Sequence, residues 1–475
     1  MLASRTKMAG MAEAVSVGAA VSMEERGTYR RIWEIAWPVS VSTSTLTLLT
    51  LANLFWIGHL GTAAVAAVSL AGNILFIVFG ISDIVYTGAV AIIARRVGER
   101  NLLSAMGGAV HALCLAALLG LAVGVGGYLA APAIVGFFNA APEVTEIAVS
   151  YLRIMFACQV FLYVTTALRA AYQSVGNTRT PMFVNLIVVL LNAVVDPFFI
   201  FPSGQIVLGG LSLGWLGWGV AGGALAACAA SATGMALMFV VAAVTRQPFD
   251  WKAARQVRLS PREFLRMLRV GTPASLTLIA RPLSTFLLLK VIASFGTAAI
   301  AAFGIALRSF GFNWIFYSGI NAAVATLVGQ SLGARNVRQA ERVVIRGLVA
   351  TSALGLLFCF GYFMWSQQLI LLFDSEPAVV AAGAPFVKLM ALGFLFSAPM
   401  LPLVAAMNGA GETRVPMIAA FLANWPLKLP LAYTLAVPLA YGINGVWTGM
   451  LISIVVEALV VIAWFRRGTW KVKQV

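Results

Sequence analysis

The chain has 475 residues, of which 61% are hydrophobic and 10% charged. A soluble globular chain carries about 25% charged residues, so a chain this apolar belongs in lipid and the soluble classes are excluded. The formal net charge of +16 invites a nucleic-acid partner, but most Lys and Arg fall in the tails and in alternate loops, which is the signature of membrane topology.

Residues 1–28 are small and polar and lack a continuous apolar run, so they are expected to form a cytoplasmic tail and not a cleaved signal. Twelve stretches then meet the span requirement of about 20 mostly apolar residues. They lie near 32–57, 64–91, 105–130, 147–173, 180–201, 217–244, 267–294, 299–326, 341–366, 384–409, 415–437 and 443–465. All should be helices, since an open strand would leave backbone groups unpaired in lipid. The loops near 95–100, 174–179, 245–266, 333–342 and 411–414 carry Arg or Lys, and the intervening ones carry none. Both termini should therefore be cytoplasmic. The expected organisation is an N-lobe at 29–244, a basic linker at 245–263 that rests on anionic headgroups, a C-lobe at 264–467 and a short cytoplasmic tail at 468–475.

The two halves repeat at an offset of 235 residues (61 to 296). Gly61-Thr62-Ala63-Ala64 returns as Gly296-Thr297-Ala298-Ala299, and Gly176-Asn177-Thr178-Arg179-Thr180-Pro181 returns as Gly411-Glu412-Thr413-Arg414-Val415-Pro416. Pro38 maps to Pro273 and Arg153 to Lys388. Each half has an even number of spans, so the repeats are parallel and related by an axis along the membrane normal. A duplicated helical membrane protein with a site between its halves is above all a transporter signature. Gly176 and Gly411 can take a left-handed helix cap, and Pro181 and Pro416 can open the next helix. The four cysteines, Cys114, Cys158, Cys228 and Cys359, all lie in apolar stretches without a CxxC and read as small core hydrophobes. The two histidines, His59 and His111, stand alone and cannot make a metal site.

With the repeat and these motifs, the chain resembles the multidrug and toxic compound extrusion (MATE) family. The carriers are Gly58-His59-Leu60-Gly61, the Gly-Asn-Thr-Arg-Thr-Pro turn and Leu191-Asn192-Ala193-Val194-Val195-Asp196-Pro197-Phe198. The resemblance implies an all-α membrane protein of 12 transmembrane helices, in two six-helix bundles related by a pseudo-twofold axis. It implies export of amphipathic, often cationic compounds in exchange for H⁺ or Na⁺. Pro38 matches a proline that kinks the first helix. The family's carboxylate later in that helix is Asn53 here, a departure that puts its share of coupling in doubt. Acids that some members carry on helices seven and ten correspond to Arg281 and Ser397, so a C-lobe cation site is not expected.

Three acids lie well inside spans: Asp83, Asp196 and Glu457. A carboxylate there is costly and is a functional candidate by default. Asp196 leads, because Asn192 shares its helix face and Pro197 frees a backbone carbonyl one turn back. That set suits a proton relay or a small hard cation. Asn53 can bond Asp196 or coordinate through its carbonyl, but cannot release a proton. Asp83 could replace the missing acid or line a lumen wall. Glu457 reads as a packing or salt-bridge residue. Arg281, Lys290, Arg308 and Lys428 make the C-lobe interior basic, either as a cavity wall for an anionic or zwitterionic group or as internally paired charges. Pro38 and Pro197 are the candidate kinks.

The reading that follows is a secondary antiporter exporting small amphipathic organic compounds, with H⁺ as first choice of coupling ion and Na⁺ as second. The alternative is a flippase for a lipid-linked or anionic substrate. No P-loop or HExxH motif points to an enzyme. The expected setting is a bacterial inner membrane, with the protein acting as a monomer. Its partners would be the small-molecule substrate and membrane lipids, with no nucleic acid, metal or cofactor beyond the coupling ion.

Overall fold

A computed structural model describes residues 27–202, 206–208, 211–213, 216–245, 247–248, 254 and 257–473. The tail up to residue 26, part of the 202–216 loop and most of the basic linker fall outside these residues, so the headgroup contact expected of the linker does too.

The described chain is almost wholly helical. In order it forms α1 (Thr28–Gly58), α2 (Thr62–Gly98), α3 (Leu102–Gly136), α4 (Pro142–Ala157), α5 (Gln159–Ser174) and α6 (Arg179–Ile200). A small antiparallel hairpin, β1 (Ile206–Leu208) and β2 (Leu211–Leu213), precedes α7 (Gly219–Thr245). The second half comprises α8 (Pro261–Ala293), α9 (Thr297–Gly333), α10 (Val337–Met364), the short α11 (Ser366–Leu371), α12 (Pro377–Gly409) and α13 (Arg414–Leu422). A π turn (Ala423–Leu427), α14 (Lys428–Ala436), α15 (Ile443–Arg466) and the short α16 (Thr469–Val472) complete it. Eleven of these segments are long and apolar enough to cross a membrane, counting α13 to α14 as one. The expected continuous span at 147–173 is instead two helices, α4 and α5, bent by 47° at Cys158; taken together they make the twelfth.

The repeat extends to backbone conformation. Gly176 and Gly411 have φ of 87° and 83°, and the non-glycine pair Arg100 and Arg335 has 59° and 55°. At the two glycines a 6→1 bond closes the preceding helix: Asn177 N donates to Tyr172 O at 3.0 Å, and Glu412 N to Met407 O at 2.8 Å. This is the Schellman cap that the glycines permit.

The structure divides into two compact units. One holds Val41–Ala89 and Leu102–Leu268; the other holds the residues up to Ser40, Val90–Asn101 and those from Arg269 onward. In the first, α3 packs on α4 and α5, α6 packs on α7, and α4 and α5 also reach α7. Ile57, Leu152, Phe156, Ile200 and Phe201 form its core. A disulfide joins Cys158, at the α4–α5 bend, to Cys228 of α7 with Cα atoms 5.7 Å apart, so these two are not the reduced core residues expected, whereas Cys114 and Cys359 are free thiols. His111 fixes the start of α8, since Ser260 N donates to its Nε2 at 2.9 Å.

In the second unit α12 is the central helix, packed by α9, α10 and α15. Phe303, Phe386 and Trp447 stack at one end of its core, and Val324, Val343, Met407 and Trp470 fill the other. The ends of α2 and α9 belong here, and they cross at a repeated contact. A Cβ on Gly98 would collide with the Gln330 carbonyl, and one on Gly333 with the Arg95 carbonyl, each residue being the other's counterpart across the repeat. Ala94-x-x-x-Gly98 and Gly329-x-x-x-Gly333 are the small-residue spacings by which membrane helices approach closely. The C-terminal segment, expected as a short cytoplasmic tail, docks at this end. Trp470 is buried, Lys471 pairs with Glu341, Lys473 with Glu412 at 2.8 Å, and Arg95 donates to the Lys473 carbonyl at 2.6 Å.

Gly98→Ala and Gly333→Ala should each lower stability by about 1–3 kcal/mol through overpacking, read as a drop in the thermal midpoint of the detergent-solubilised protein. Gly72→Ala, where a Cβ meets nothing within 4 Å, should cost nothing. Equal midpoints for all three variants would mean that the crossing does not bear on stability.

Candidate functional site

Helix α6 begins after the Gly176 cap and carries Asn192 and Asp196 into a fully buried position, both at 0% exposure. Their four-residue spacing places them on one face, and Asn192 Nδ2 donates to Asp196 Oδ1 at 3.0 Å. Pro197 lies inside the helix and has no N–H, so the Ala193 carbonyl loses its helical partner. Asp196 Oδ2, Asn192 Oδ1 and Asn53 Oδ1 are all buried and receive no donor from the described residues. Asn53 reaches this region from α1. Its Oδ1 and the Ile200 side chain both lie against Gly223 of α7, at 3.6 and 3.5 Å from where a Cβ would stand, one helical turn beyond Asp196. Tyr151 of α4, also buried, lies within electrostatic range of the Asp196 carboxylate. Buried acceptors without donors call for something that brings positive charge or a hydrogen.

Asp83 stands in a different neighbourhood. Its Oδ2 accepts from Thr87 Oγ1 at 2.9 Å, and Arg169 of α5 lies within electrostatic range of it. Arg169 also lies over the Tyr86 ring at 5.8 Å, and the Tyr86 hydroxyl donates to Gln173. Asp83 and Asp196 therefore belong to separate polar clusters. Arg169 and Tyr151 are the functional-site neighbours that pattern alone did not mark. An arginine four residues before Gln173 in an otherwise apolar helix was the available signal for the first. A tyrosine in a membrane helix carries no comparable signal.

The C-lobe acid and two of its four cations form one buried network. Arg281 of α8 pairs with Glu457 of α15. Asn424, in the π turn, donates through Nδ2 to Glu457 Oε2 at 3.1 Å and to Ala420 O at 2.8 Å. Lys428 Nζ donates to Asn424 Oδ1 at 3.0 Å and to Thr285 Oγ1 at 3.2 Å. The π turn contains Pro426, and such bulges re-aim side chains within a helix. Here it presents Asn424 to Glu457 through its amide nitrogen and to Lys428 through its amide oxygen. Glu457 is thus a salt-bridge residue, through Arg281 and not through Arg466 or Arg467. Lys290 and Arg308 are exposed and take no part. The structure brings together Arg281 and Lys428 but neither of the other two cations proposed as cavity wall. Pro38 lies inside α1, two residues before the point at which that helix passes from one unit to the other.

Comparison with known proteins agrees with this architecture. The MatE family model matches residues 38–198 and 273–434, that is, both repeats. A curated relative, "Probable multidrug resistance protein NorM" of Thermotoga maritima, is 23% identical over 454 residues, covering 94% of each chain. Among solved structures, "Crystal structure of MATE in the bent conformation" superposes with a TM-score of 0.86 at 23% identity, covering 94% of this chain and 97% of that one. A second, described as the outward-facing conformation of a multidrug resistance MATE family transporter, gives 0.84 at 24% identity over 96% and 99%. Two matched repeats, eleven or twelve membrane-length helices and this fold together place the chain in the MatE family of membrane transporters, and it is not an enzyme.

Proposed function

We propose that this MATE-family transporter is an antiporter that exports small amphipathic organic compounds by alternating access, in exchange for H⁺ taken up at Asp196. One observation carries the reading. Of the three acids inside spans, Asp83 has Arg169 within electrostatic range and Glu457 pairs with Arg281, whereas among the described residues Asp196 has the Asn192 amide as its donor and no cation paired with it. Two acids have their countercharge built into the chain; the third needs a mobile one. A single proton on Asp196 would also turn an orphan acceptor into a donor that the neighbouring carboxamide oxygens can accept. Na⁺ is the weaker choice, because the site offers one carboxylate and a hard cation is better held by several charged oxygens. The multidrug names of the relatives support export of organic compounds. The closed pairing of Arg281 and Lys428 argues against their serving as an open site for a polyanionic lipid-linked substrate.

The topology that goes with this reading has both termini in the cytoplasm of a bacterial cell and the protein in its inner membrane. The ends carrying Arg95, Arg96, Arg179, Arg335, Arg338 and Arg414 would face inward, and the Arg- and Lys-free segment 364–377 outward. Ser375→Cys should then be labelled by an impermeant maleimide added to intact cells. Labelling only after the cytoplasmic face is opened would reverse the orientation.

Asp196→Asn should abolish ΔpH-driven efflux from proteoliposomes, since a carboxamide cannot exchange a proton, while substrate binding and the thermal midpoint persist. Full flux at a fixed ΔpH, or flux that follows a Na⁺ gradient alone, would remove the proton assignment.

The C-lobe network predicts an order of stabilities. Glu457→Gln strands two cations and should cost about 3–5 kcal/mol, the usual loss on breaking a buried pair. Lys428→Met leaves Arg281 and Glu457 as a neutral pair and should cost far less. If thermal melts rank the two variants equally, Glu457 is not the group that holds the network together.

A further inference from the structure

Arg153 is a basic residue within a span that neither the coupling site nor the C-lobe network uses. It lies on one stripe of α4 with Glu146, Val149, Ser150, Ile154 and Ala157, spacings of three and four that make a single helix face. The opposite face is the buried one, with Ala148, Tyr151, Leu152 and Phe156. Glu146, Ser150 and Arg153 are all exposed, and neither charge has an ion-pair partner among the described residues. A charge within a span, as Arg153 is, is costly unless a ligand, headgroup or water meets it, and Glu146 stands on the same face nearer the surface.

That face borders a cavity of ≈ 590 Å³ lined also by Tyr128 of α3 and Leu225 of α7. The guanidinium stands over the Tyr128 ring, 5.3 Å from its centre. The Cys158–Cys228 disulfide ties the α4 wall to the α7 wall, so the cavity has fixed sides. Depth follows from helix length. α3 has 35 residues, about 52 Å at 1.5 Å per residue, against a hydrocarbon core of about 30 Å. Its ends project beyond the core, which puts Tyr128, eight residues before Gly136, near the boundary between headgroups and acyl chains. Side chains on a helix lean toward its N-terminus. For α4 that is the same membrane face as the end of α3, so Arg153 leans toward the headgroups and toward Ser150 and Glu146.

We propose that this cavity binds the headgroup of a phosphoethanolamine lipid, in the leaflet opposite the two termini. Arg153 and Ser150 hold the phosphate, and Glu146, two turns nearer the surface, accepts hydrogen bonds from the primary ammonium. Val149, Ile154 and Leu225 supply the apolar wall for the start of an acyl chain. The headgroup satisfies both unpaired charges at once, which neither an anionic lipid nor a free phosphate can do. The repeat supplies an internal control. Lys388 lies over Phe363 at 5.8 Å, at the positions corresponding to Arg153 and Tyr128, but the counterpart of Glu146 is Ala381.

Native mass spectrometry of the full-length protein, released from nanodiscs holding equal phosphatidylethanolamine, phosphatidylcholine and phosphatidylglycerol, reads retained lipid directly. Wild type should keep phosphatidylethanolamine about tenfold over phosphatidylcholine, whose quaternary nitrogen cannot donate, the worth of one charge-assisted hydrogen bond. Glu146→Gln should erase that preference while a phospholipid is still retained. Arg153→Met should lose the bound lipid, and Lys388→Met should behave as wild type. Thermal melts of each variant confirm folding. Equal retention of the three lipids by wild type, a preference for phosphatidylglycerol, or an unchanged preference in Glu146→Gln would overturn the proposal. Displacement of the lipid by millimolar inorganic phosphate would assign the cavity to a free anion and overturn it as well.

Discussion

A charge or a backbone N–H without a partner in hydrocarbon costs several kcal/mol, and the arrangement of polar residues in this chain follows from that cost. Most backbone groups are satisfied within helices. Side-chain charges inside the spans fall into groups with distinct solutions. Asp83 lies within electrostatic range of Arg169 in one compact unit, and Glu457 pairs with Arg281 in the other, with Asn424 bridging Glu457 to Lys428. Asp196 has a carboxamide and no cation. Arg153 has an aromatic face and an open cavity. The last two are where the protein leaves electrostatic work for something that is not part of the chain.

The duplication shows how such a protein uses one local design twice and then varies it. The Gly176 and Gly411 caps are the same structure, and the Gly98 and Gly333 contacts are the same collision avoided from either side. At the polar positions the copies diverge. Asp196 and Asn192 correspond to Leu431 and Leu427, so the second copy of the coupling helix is apolar at both places. It carries Asn424 and Lys428 on the same stretch instead, presented by a π turn that the first copy lacks. The backbone plan is kept because packing demands it, while the charged residues are free to specialise each lobe.

Most of the fold was legible because lipid imposes a strong and simple code: twenty apolar residues per span, basic loops on one side, glycine at the caps. The bend at Cys158 was not, since a break between two apolar helices leaves the hydropathy of the whole span intact. The Cys158–Cys228 disulfide was not, because two cysteines in separate apolar stretches read the same whether bonded or reduced. The docked C-terminal segment was hidden by its basic composition, which suits a free tail equally well. Trp470 was the residue that could have betrayed it. At the candidate site, the pairing of Asn192 with Asp196 followed from spacing along one helix. Tyr151 and Arg169 come from other helices, and no spacing within a helix reports on its neighbours.

The replacement of a family carboxylate by Asn53 gains a physical meaning from this geometry. Two acids one turn apart would raise the charge that a mobile ion has to balance and would favour a hard cation held by several carboxylate oxygens. With a carboxamide in its place, the site can carry one negative charge at most, surrounded by acceptors that want a hydrogen. Asn53 Oδ1, buried beside Ile200 one turn from Asp196, adds a neutral acceptor to this region and not a second charge. A site with one titratable oxygen pair and neutral acceptors around it suits a proton better than a metal ion. On this view, the same substitution that removes an acid also selects the coupling ion.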